Sequence, residues 1–141
     1  MTTPMTGITQ RSTLIIAGLL GLLGVAAGAF GAHGLEARIS VEQLEWWQTA
    51  ARYQQIHALA LLAVGWGAGA WSPWRGRAAL CFCVGVVVFA GTLYAMALGG
   101  PRILGAVTPV GGLALITGWA LIVVHAVQAR PGDRPARASS E

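Results

Sequence analysis

Six polar side chains are of types that could bind a ligand, move a proton or hold helices together. They are two histidines, two tyrosines and two threonines: His33, Thr49, Tyr53, His57, Tyr94 and Thr108. Thr49, Tyr53 and His57 follow one another at intervals of four residues, which places them on one face of a helix. Such a face can either bond to neighbouring helices or line a small site. The residue types alone leave both interpretations open.

Metal binding is the most specific chemistry that these residues suggest, because His33, Glu36 and His57 are ligand types that zinc accepts. The motif is weak, since Gly34 is expected to break the helix between His33 and Glu36. No serine–histidine–acid set is apparent, and Asp133 lies in the C-terminal tail. Phosphate-loop, dinucleotide and haem-attachment motifs are also absent from the sequence. We therefore expect no enzyme activity, no metal and no cofactor.

The composition indicates that these side chains belong to a membrane protein. Of the 141 residues, 55% are hydrophobic and 10% are charged, whereas a soluble domain carries about 25% charged residues. The nine basic residues are all arginines, which stand singly at the ends of apolar stretches or in the C-terminal tail. Scattered arginines mark the ends of membrane spans rather than a phosphate-binding surface. We expect the lipid bilayer as a partner and no nucleic acid.

Four long stretches without charge predict four membrane spans, because about 20 apolar residues cross the hydrocarbon core. The predicted spans are residues 13–32, 53–71, 79–98 and 105–127. They make up a transmembrane domain over 13–127, between a tail of residues 1–12 and a disordered tail of residues 128–141. The predicted fold is an all-α, integral membrane four-helix bundle.

The connection between the first two spans predicts a short helix at the outer membrane interface. Ser40 and Gln43 form a capping-box pattern, S-x-x-Q, directly before residues with helical periodicity. This segment either bends at the second span or continues straight into it. Trp46 and Trp47 are expected to anchor it at the interface.

The distribution of arginine predicts the orientation of the spans. One side carries both termini and six arginines, namely Arg11, Arg75, Arg77, Arg130, Arg134 and Arg137. The other side carries three, Arg38, Arg52 and Arg102, together with three glutamates. The excess of positive charge places both termini in the cytoplasm. The six polar side chains then lie at the outer end of the bundle.

Glycines at intervals of four predict close packing of the spans. Gly24 and Gly28 form such a pair in the first span, Gly65 and Gly69 form another in the second, and Gly112 lies in the fourth. Small residues let helix backbones approach and gain dispersion contacts in lipid. Tight packing leaves little room for a pore, so a channel would require an oligomer or a slot between spans.

Four stretches resemble the YgdD family of small membrane proteins, also called domain of unknown function 423, which includes eukaryotic transmembrane protein 256. The stretches are GAFGAHGL at 28–35, WQTAARYQQIHALAL at 47–61, FAGTLYAMAL at 89–98 and LGAVTPVGGLALITGW at 104–119. His33, Tyr53, His57 and Tyr94 fall on matching motif positions, and Thr92 stands where the family motif has serine. The resemblance implies a four-span protein of the bacterial plasma membrane and carries no established activity.

Three functional hypotheses follow. The leading one is an integral membrane protein that acts as a structural or accessory component through its outer polar residues. The alternative is a small-molecule or ion transporter or channel that works as an oligomer. The third is a membrane enzyme or metal protein that uses His33 and His57. A second copy of the chain or another membrane protein stays open as a partner.

Overall fold

The computed structural model describes residues 8–67 and 70–128, and the regular structure in these residues is helical. Its long helices are α1 (Gln10–Phe30), α2 (Val41–Trp66), α3 (Pro73–Ala97) and α4 (Thr108–Gln128). α1 continues into a π-helical turn over Gly31–Leu35, and a short 3-10 helix over Arg102–Ala106 precedes α4. The chain is therefore all-α.

Side-chain caps fix the starts of the first two helices. Ser40 Oγ accepts a hydrogen bond from the Gln43 amide, and Gln43 Oε1 accepts one from the Ser40 amide, so the predicted capping box of α2 is confirmed. Thr9 and Ser12 form a similar box at α1. α1 consequently begins at Gln10, earlier than the predicted span start at residue 13.

α2 is one unbroken helix of 26 residues, so the predicted interfacial segment runs straight into the second span. At 1.5 Å per residue it is about 39 Å long, which exceeds the ~30 Å of a hydrocarbon core. Trp46 is half-buried beneath the Arg102 guanidinium at one end of α2. Trp47 is not the interfacial anchor that the sequence suggested, because Gly31 leaves space on α1 in which its indole is buried.

The helices pack in chain order, and neighbours run antiparallel. α2 lies between α1 and α3, and α3 lies between α2 and α4. Within the described residues, no backbone contact joins α4 to α1 or to α2. The start of α1 meets the end of α2, as Leu14 and Gly65 show. We call the end of the bundle that holds Gln10 and Gln128 the proximal end, and the opposite end the distal end.

In the part of the chain that the structure describes, three helical stretches are long and apolar enough to cross a membrane, namely Gln10–Leu35, Pro73–Ala97 and Arg102–Gln128. α2 is as long but is not among them, because it carries more polar residues. Two of these polar residues, Gln54 and His57, are buried. Because α2 packs antiparallel between α1 and α3, it crosses the same thickness of membrane as they do. Large apolar side chains cover the outer faces of α1 and α4, including Ile15, Leu19, Leu22, Val110, Leu113 and Ile116. The chain is a membrane helical bundle.

Alanine makes up much of the interior where α2 and α3 meet. Ala50, Ala78, Ala79 and Ala97 have no exposed surface, and Phe82 is the largest side chain that is completely buried. Small side chains bring the helix backbones close together, as the predicted packing requires. Two further predictions, the disorder of the tail beyond residue 128 and the packing role of Gly69, lie outside the described residues.

Candidate functional site

The six polar residues singled out from the sequence do not form one cluster. His33 is exposed in the π-helical turn at the distal end, and Thr49 is half-buried on α2. Within the described residues, no side-chain hydrogen bond joins either residue to the other four. Those four contribute to three separate contacts between helices, and the first two contacts include a partner that the sequence analysis did not single out.

The weak metal motif is not assembled. Gly34 does not break the helix as expected, since the helix continues through it as a π turn. The Phe30 ring packs against Gly34, where a Cβ would lie 2.6 Å from Cε2. His33 and Glu36 are exposed at the distal end, whereas His57 is buried on α2. No group of three or more potential metal ligands occurs in the described part of the chain.

The first contact between helices is made by Gln54, which connects α1, α2 and α3. Its Nε2 donates a hydrogen bond to the Leu20 carbonyl at 2.9 Å, and its Oε1 accepts one from the Tyr94 hydroxyl at 3.0 Å. Its side chain is only 6% exposed. A buried amide costs free energy unless its polar atoms are bonded. Gln54 therefore stabilises the bundle only in the arrangement that brings all three helices together.

Gln55 and Trp47 extend this contact along α1. Gln55 Nε2 donates to the Gly24 carbonyl at 2.7 Å, and Trp47 Nε1 donates to the Ala27 carbonyl at 2.8 Å. A Cβ at Gly24 would lie 2.8 Å from Gln55 Cγ. The absence of a side chain at this glycine thus gives the amide access to the backbone of α1.

The other glycines that were predicted to pack helices differ in how close the atoms of the neighbouring helix lie. A Cβ at Gly28 would lie 3.3 Å from Gln55 Nε2, and one at Gly65 would lie 2.7 Å from Leu14 Cδ2. A Cβ at Gly112 would make an ordinary 3.8 Å contact with the Phe89 ring. The closest approach of α4 to α3 occurs instead at its neighbour Gly111.

The second contact joins His57 of α2 to Trp119 of α4. Trp119 Nε1 donates to His57 Nε2 at 3.2 Å, and His57 Nδ1 lies 2.7 Å from the Tyr53 carbonyl. Because indole nitrogen only donates, His57 Nε2 is the acceptor. The ring hydrogen then sits on Nδ1 and is donated to the Tyr53 carbonyl. Both nitrogens of this neutral imidazole are therefore bonded, and the Tyr53 ring stacks on it at 5.9 Å.

The third contact is a hydroxyl pair between α3 and α4. Thr92 Oγ1 and Thr108 Oγ1 are 2.8 Å apart, and Thr92 Oγ1 also donates to carbonyls of its own helix. Thr108 Oγ1 lies 3.2 Å from the Leu104 carbonyl, which belongs to the short distal helix. The pair ties the end of α3 to the start of α4.

Arg75 makes the most extensive polar contact at the proximal end. Arg75 is only 4% exposed, and its guanidinium donates to the carbonyls of Val64 and Gly67 at the C-terminal end of α2 and to that of Ala70 in the connection to α3. The guanidinium also lies over the Trp71 ring, 5.1 Å from its centroid. A cation at the last carbonyls of a helix satisfies these groups and complements the helix dipole.

Three of the cavities lined by described residues lie between helices. One of them, about 410 Å³, is a mostly apolar groove between α1 and α3 that reaches Gln54, Trp47 and Tyr94. A cavity of about 310 Å³ lies between α1 and α2. The third, about 230 Å³, lies between α2 and α4 and ends at Arg75 and His125. Only the third cavity has basic side chains in its wall.

Five residues that matter in these contacts were not singled out as site residues from the sequence, namely Trp47, Gln54, Gln55, Arg75 and Trp119. The glutamines had a signal: uncharged amides within a long helix of a membrane protein commonly bond across to other helices. Arg75 and Trp47 had none, because arginine and tryptophan near span ends are equally typical of interfacial positions.

Comparison with known proteins adds the family. A family model described as a protein of unknown function (DUF423) matches residues 27–112. The UPF0382 inner membrane protein YgdD of Escherichia coli strain K12 is 37% identical over 125 residues, which cover 86% of this chain and 93% of YgdD. A UPF0382 membrane protein of Staphylococcus haemolyticus is 42% identical over 93 residues, which cover 66% of this chain and 76% of that protein. No solved structure matches the chain. The resemblance seen in the motifs is confirmed, and the chain belongs to the DUF423 family of membrane proteins.

Proposed function

We propose that the chain is a non-enzymatic, structural or accessory protein of the bacterial inner membrane, whose interior polar side chains hold its helices together. One observation carries the proposal: every buried side-chain nitrogen or oxygen in the described residues has a hydrogen-bond partner. Gln54 and His57 are bonded through both of their polar atoms. Such satisfied groups have little capacity left for a substrate.

The outer surface supports the accessory part of the proposal. α1 and α4 flank the bundle, share no backbone contact in the described residues, and expose apolar side chains such as Leu22 and Ile116. These faces offer a second copy, or a different membrane protein, a surface on which to pack. The alternative of a transporter lacks a comparable observation, because small side chains in close contact fill the interior where α2 and α3 meet.

The location and orientation are part of this proposal. The E. coli relative YgdD is named an inner membrane protein, which supports the same location for this chain. The excess of arginine at the proximal end favours cytoplasmic termini. Fluorescence of a C-terminal green fluorescent protein fusion, which folds on the cytoplasmic side only, tests this orientation. A dark fusion that is stably expressed would contradict it.

Flux measurements in proteoliposomes distinguish the proposed role from transport. Purified protein should give the same fluxes of protons, potassium and small anions as empty liposomes. A flux above that background, lost in His57→Leu and retained in the exposed control Thr117→Val, would overturn the structural interpretation of His57. Thr117 is exposed on α4, and its hydroxyl bonds only to its own helix.

Photocrosslinking in native membranes tests the accessory role. A photoreactive amino acid at Leu22 of α1 or Ile116 of α4 should give a discrete adduct with one membrane protein or with a second copy. The same group at buried Ala79 is the control and should crosslink within the chain. Adducts with lipid alone at both outer positions would contradict an accessory role.

A further inference from the structure

The cavity between α2 and α4 has the form of a slot. Both helices pack on α3 but share no backbone contact in the described residues, which leaves a gap with α3 as its floor. The slot begins where the His57–Trp119 hydrogen bond bridges the two helices, and it extends toward the proximal end. Ala63 and Trp119 on its rim are exposed to the surroundings of the bundle, so the slot opens sideways into lipid.

The two parts of the slot differ chemically. Its walls are apolar and are formed by Ala60, Val64, Phe82 and Ile122. Its proximal end is basic and is formed by Arg75 and His125. An apolar slot with a basic end matches a molecule that has a hydrocarbon chain and an anionic head. Basic pockets between membrane helices hold the head groups of anionic lipids for this reason.

The hydrogen bonds at the basic end favour an anion as well. Ser72 Oγ accepts a hydrogen bond from the Arg75 amide and keeps its hydroxyl hydrogen, which it can donate to His125 Nδ1, 3.3 Å away. In the tautomer in which Nδ1 accepts, the ring hydrogen is on Nε2, which can donate to a phosphate oxygen. The guanidinium of Arg75 stays bonded to the carbonyls of α2 and contributes its permanent charge.

The volume of the slot limits its occupant. About 230 Å³ is below the 300–1,000 Å³ that is typical of pockets for whole small molecules. Apolar cavities of this kind do not hold water readily. A flexible hydrocarbon chain that enters from the bilayer fills such a space without leaving lipid, and its head stays at the interface.

We propose that the slot between α2 and α4 binds one acyl chain of an anionic phospholipid, with the phosphate at the Arg75–His125 end. The proposal is independent of whether the chain has an accessory role. It assigns a ligand to the proximal end, whereas the contacts of Gln54, His57 and Thr108 between helices lie in the middle and distal parts of the bundle.

Native mass spectrometry of the delipidated full-length chain tests the proposal. Phosphatidylglycerol and phosphatidylcholine with identical acyl chains are added separately. We expect about fivefold stronger binding of phosphatidylglycerol, since one cationic side chain near the membrane surface contributes that much. Equal binding of the two lipids would overturn the proposal, and so would full competition by inorganic phosphate, because the acyl chain would then contribute nothing.

Two matched variants locate the binding. Ile122→Trp fills the slot, and Val123→Trp adds the same ring to the outward face of α4, where Val123 is 61% exposed. The preference for phosphatidylglycerol should vanish in Ile122→Trp and persist in Val123→Trp. Retention of the preference in Ile122→Trp, or equal loss in both variants, would show that the lipid binds elsewhere.

A second measurement needs no variant and covers the case in which Ile122→Trp does not fold. Phosphatidylglycerol with a photoreactive diazirine in its acyl chain is incorporated with the wild-type chain in nanodiscs. After irradiation, peptide mapping should find the label on Ala63 and Ile122 in excess over exposed Val123. A label distributed evenly over the outer faces of α1 and α4 would contradict a defined site.

Discussion

The seam between α1 and α2 and the seam between α3 and α4 both depend on glycine, but they use it differently. Along α1, side chains of α2 donate hydrogen bonds to backbone carbonyls, and the glycines make these carbonyls accessible. Along α3 and α4, glycines of one helix lie against the other helix, at the backbone of Phe89 in one pair and at large apolar side chains in two pairs. These pairs are Phe89 with Gly111, Phe82 with Gly118 and Leu115 with Gly85.

The difference reflects the two sources of helix association in lipid. No hydrophobic force drives helices together there, so they associate through hydrogen bonds or through close dispersion contacts. Hydrogen bonds to individual carbonyls of α1 fix the register of α1 on α2, and the loss of one bond lowers the free energy of unfolding only slightly. Close contacts at glycine are sensitive to a single added methyl group, because the opposite helix already occupies the space that the methyl group would need.

The largest effect should come from an added methyl group at the α3–α4 seam. Gly111→Ala is expected to destabilise the protein by about 3 kcal/mol, because the new Cβ would lie 2.4 Å from the Phe89 backbone nitrogen, which cannot rotate away. Gly112→Ala is the matched control and should be neutral or stabilise by up to about 1 kcal/mol. Equilibrium unfolding in mixed micelles of detergent and dodecyl sulfate measures both, and equal effects would contradict the assigned contact.

A smaller loss is expected at the hydrogen-bonded seam. Gln54→Leu removes two bonds and should lower the free energy of unfolding by about 1 kcal/mol, since each bond between membrane helices contributes roughly 0.6 kcal/mol. Tyr94→Phe removes one of the two bonds and should cost about half as much. Gln48→Leu, at an exposed position of α2, is the control. A double variant whose loss equals the sum of the single losses would argue against the Gln54–Tyr94 bond.

The bond between His57 and Trp119 joins helices from the two seams. Trp119→Phe should cost about 0.6 kcal/mol, whereas Trp66→Phe at an exposed position should change stability very little. In the wild-type chain, nitrogen-15 NMR of labelled histidine should show His57 with its hydrogen on Nδ1. A hydrogen on Nε2 would rule out the proposed acceptor role of this atom.

The smallest effect concerns the ion pair at the distal surface. Arg102 Nη2 and Glu42 Oε2 are 2.7 Å apart, but the side chains are 77% and 52% exposed. A double-variant cycle with Arg102→Gln and Glu42→Gln should give a coupling of about 0.5 kcal/mol or less at low salt, and none at high salt. A coupling energy larger than the one between Gln54 and Tyr94 would contradict the expectation that the ion pair contributes less than that hydrogen bond.

Much of the fold could be predicted because it depends on local properties. The capping box at Ser40 marks the start of α2, and the apolar stretches mark α1, α3 and α4. The partners of the polar side chains could not be predicted in the same way. α4 is apolar on all sides, so its sequence does not show which face meets α3. Gly112 was therefore chosen from the sequence, whereas Gly111 makes the closest contact.

The sequence by itself determined the membrane environment, the all-α class and the family, because composition, span length and motifs do not depend on helix neighbours. Only the tertiary structure decided which polar groups meet. Gln54, which the sequence analysis passed over, connects three helices, and His33 stays apart from His57. The physical reason is that helix rotation and register in lipid are set by backbone carbonyls and glycine contacts on neighbouring helices, and these become adjacent only when the bundle forms.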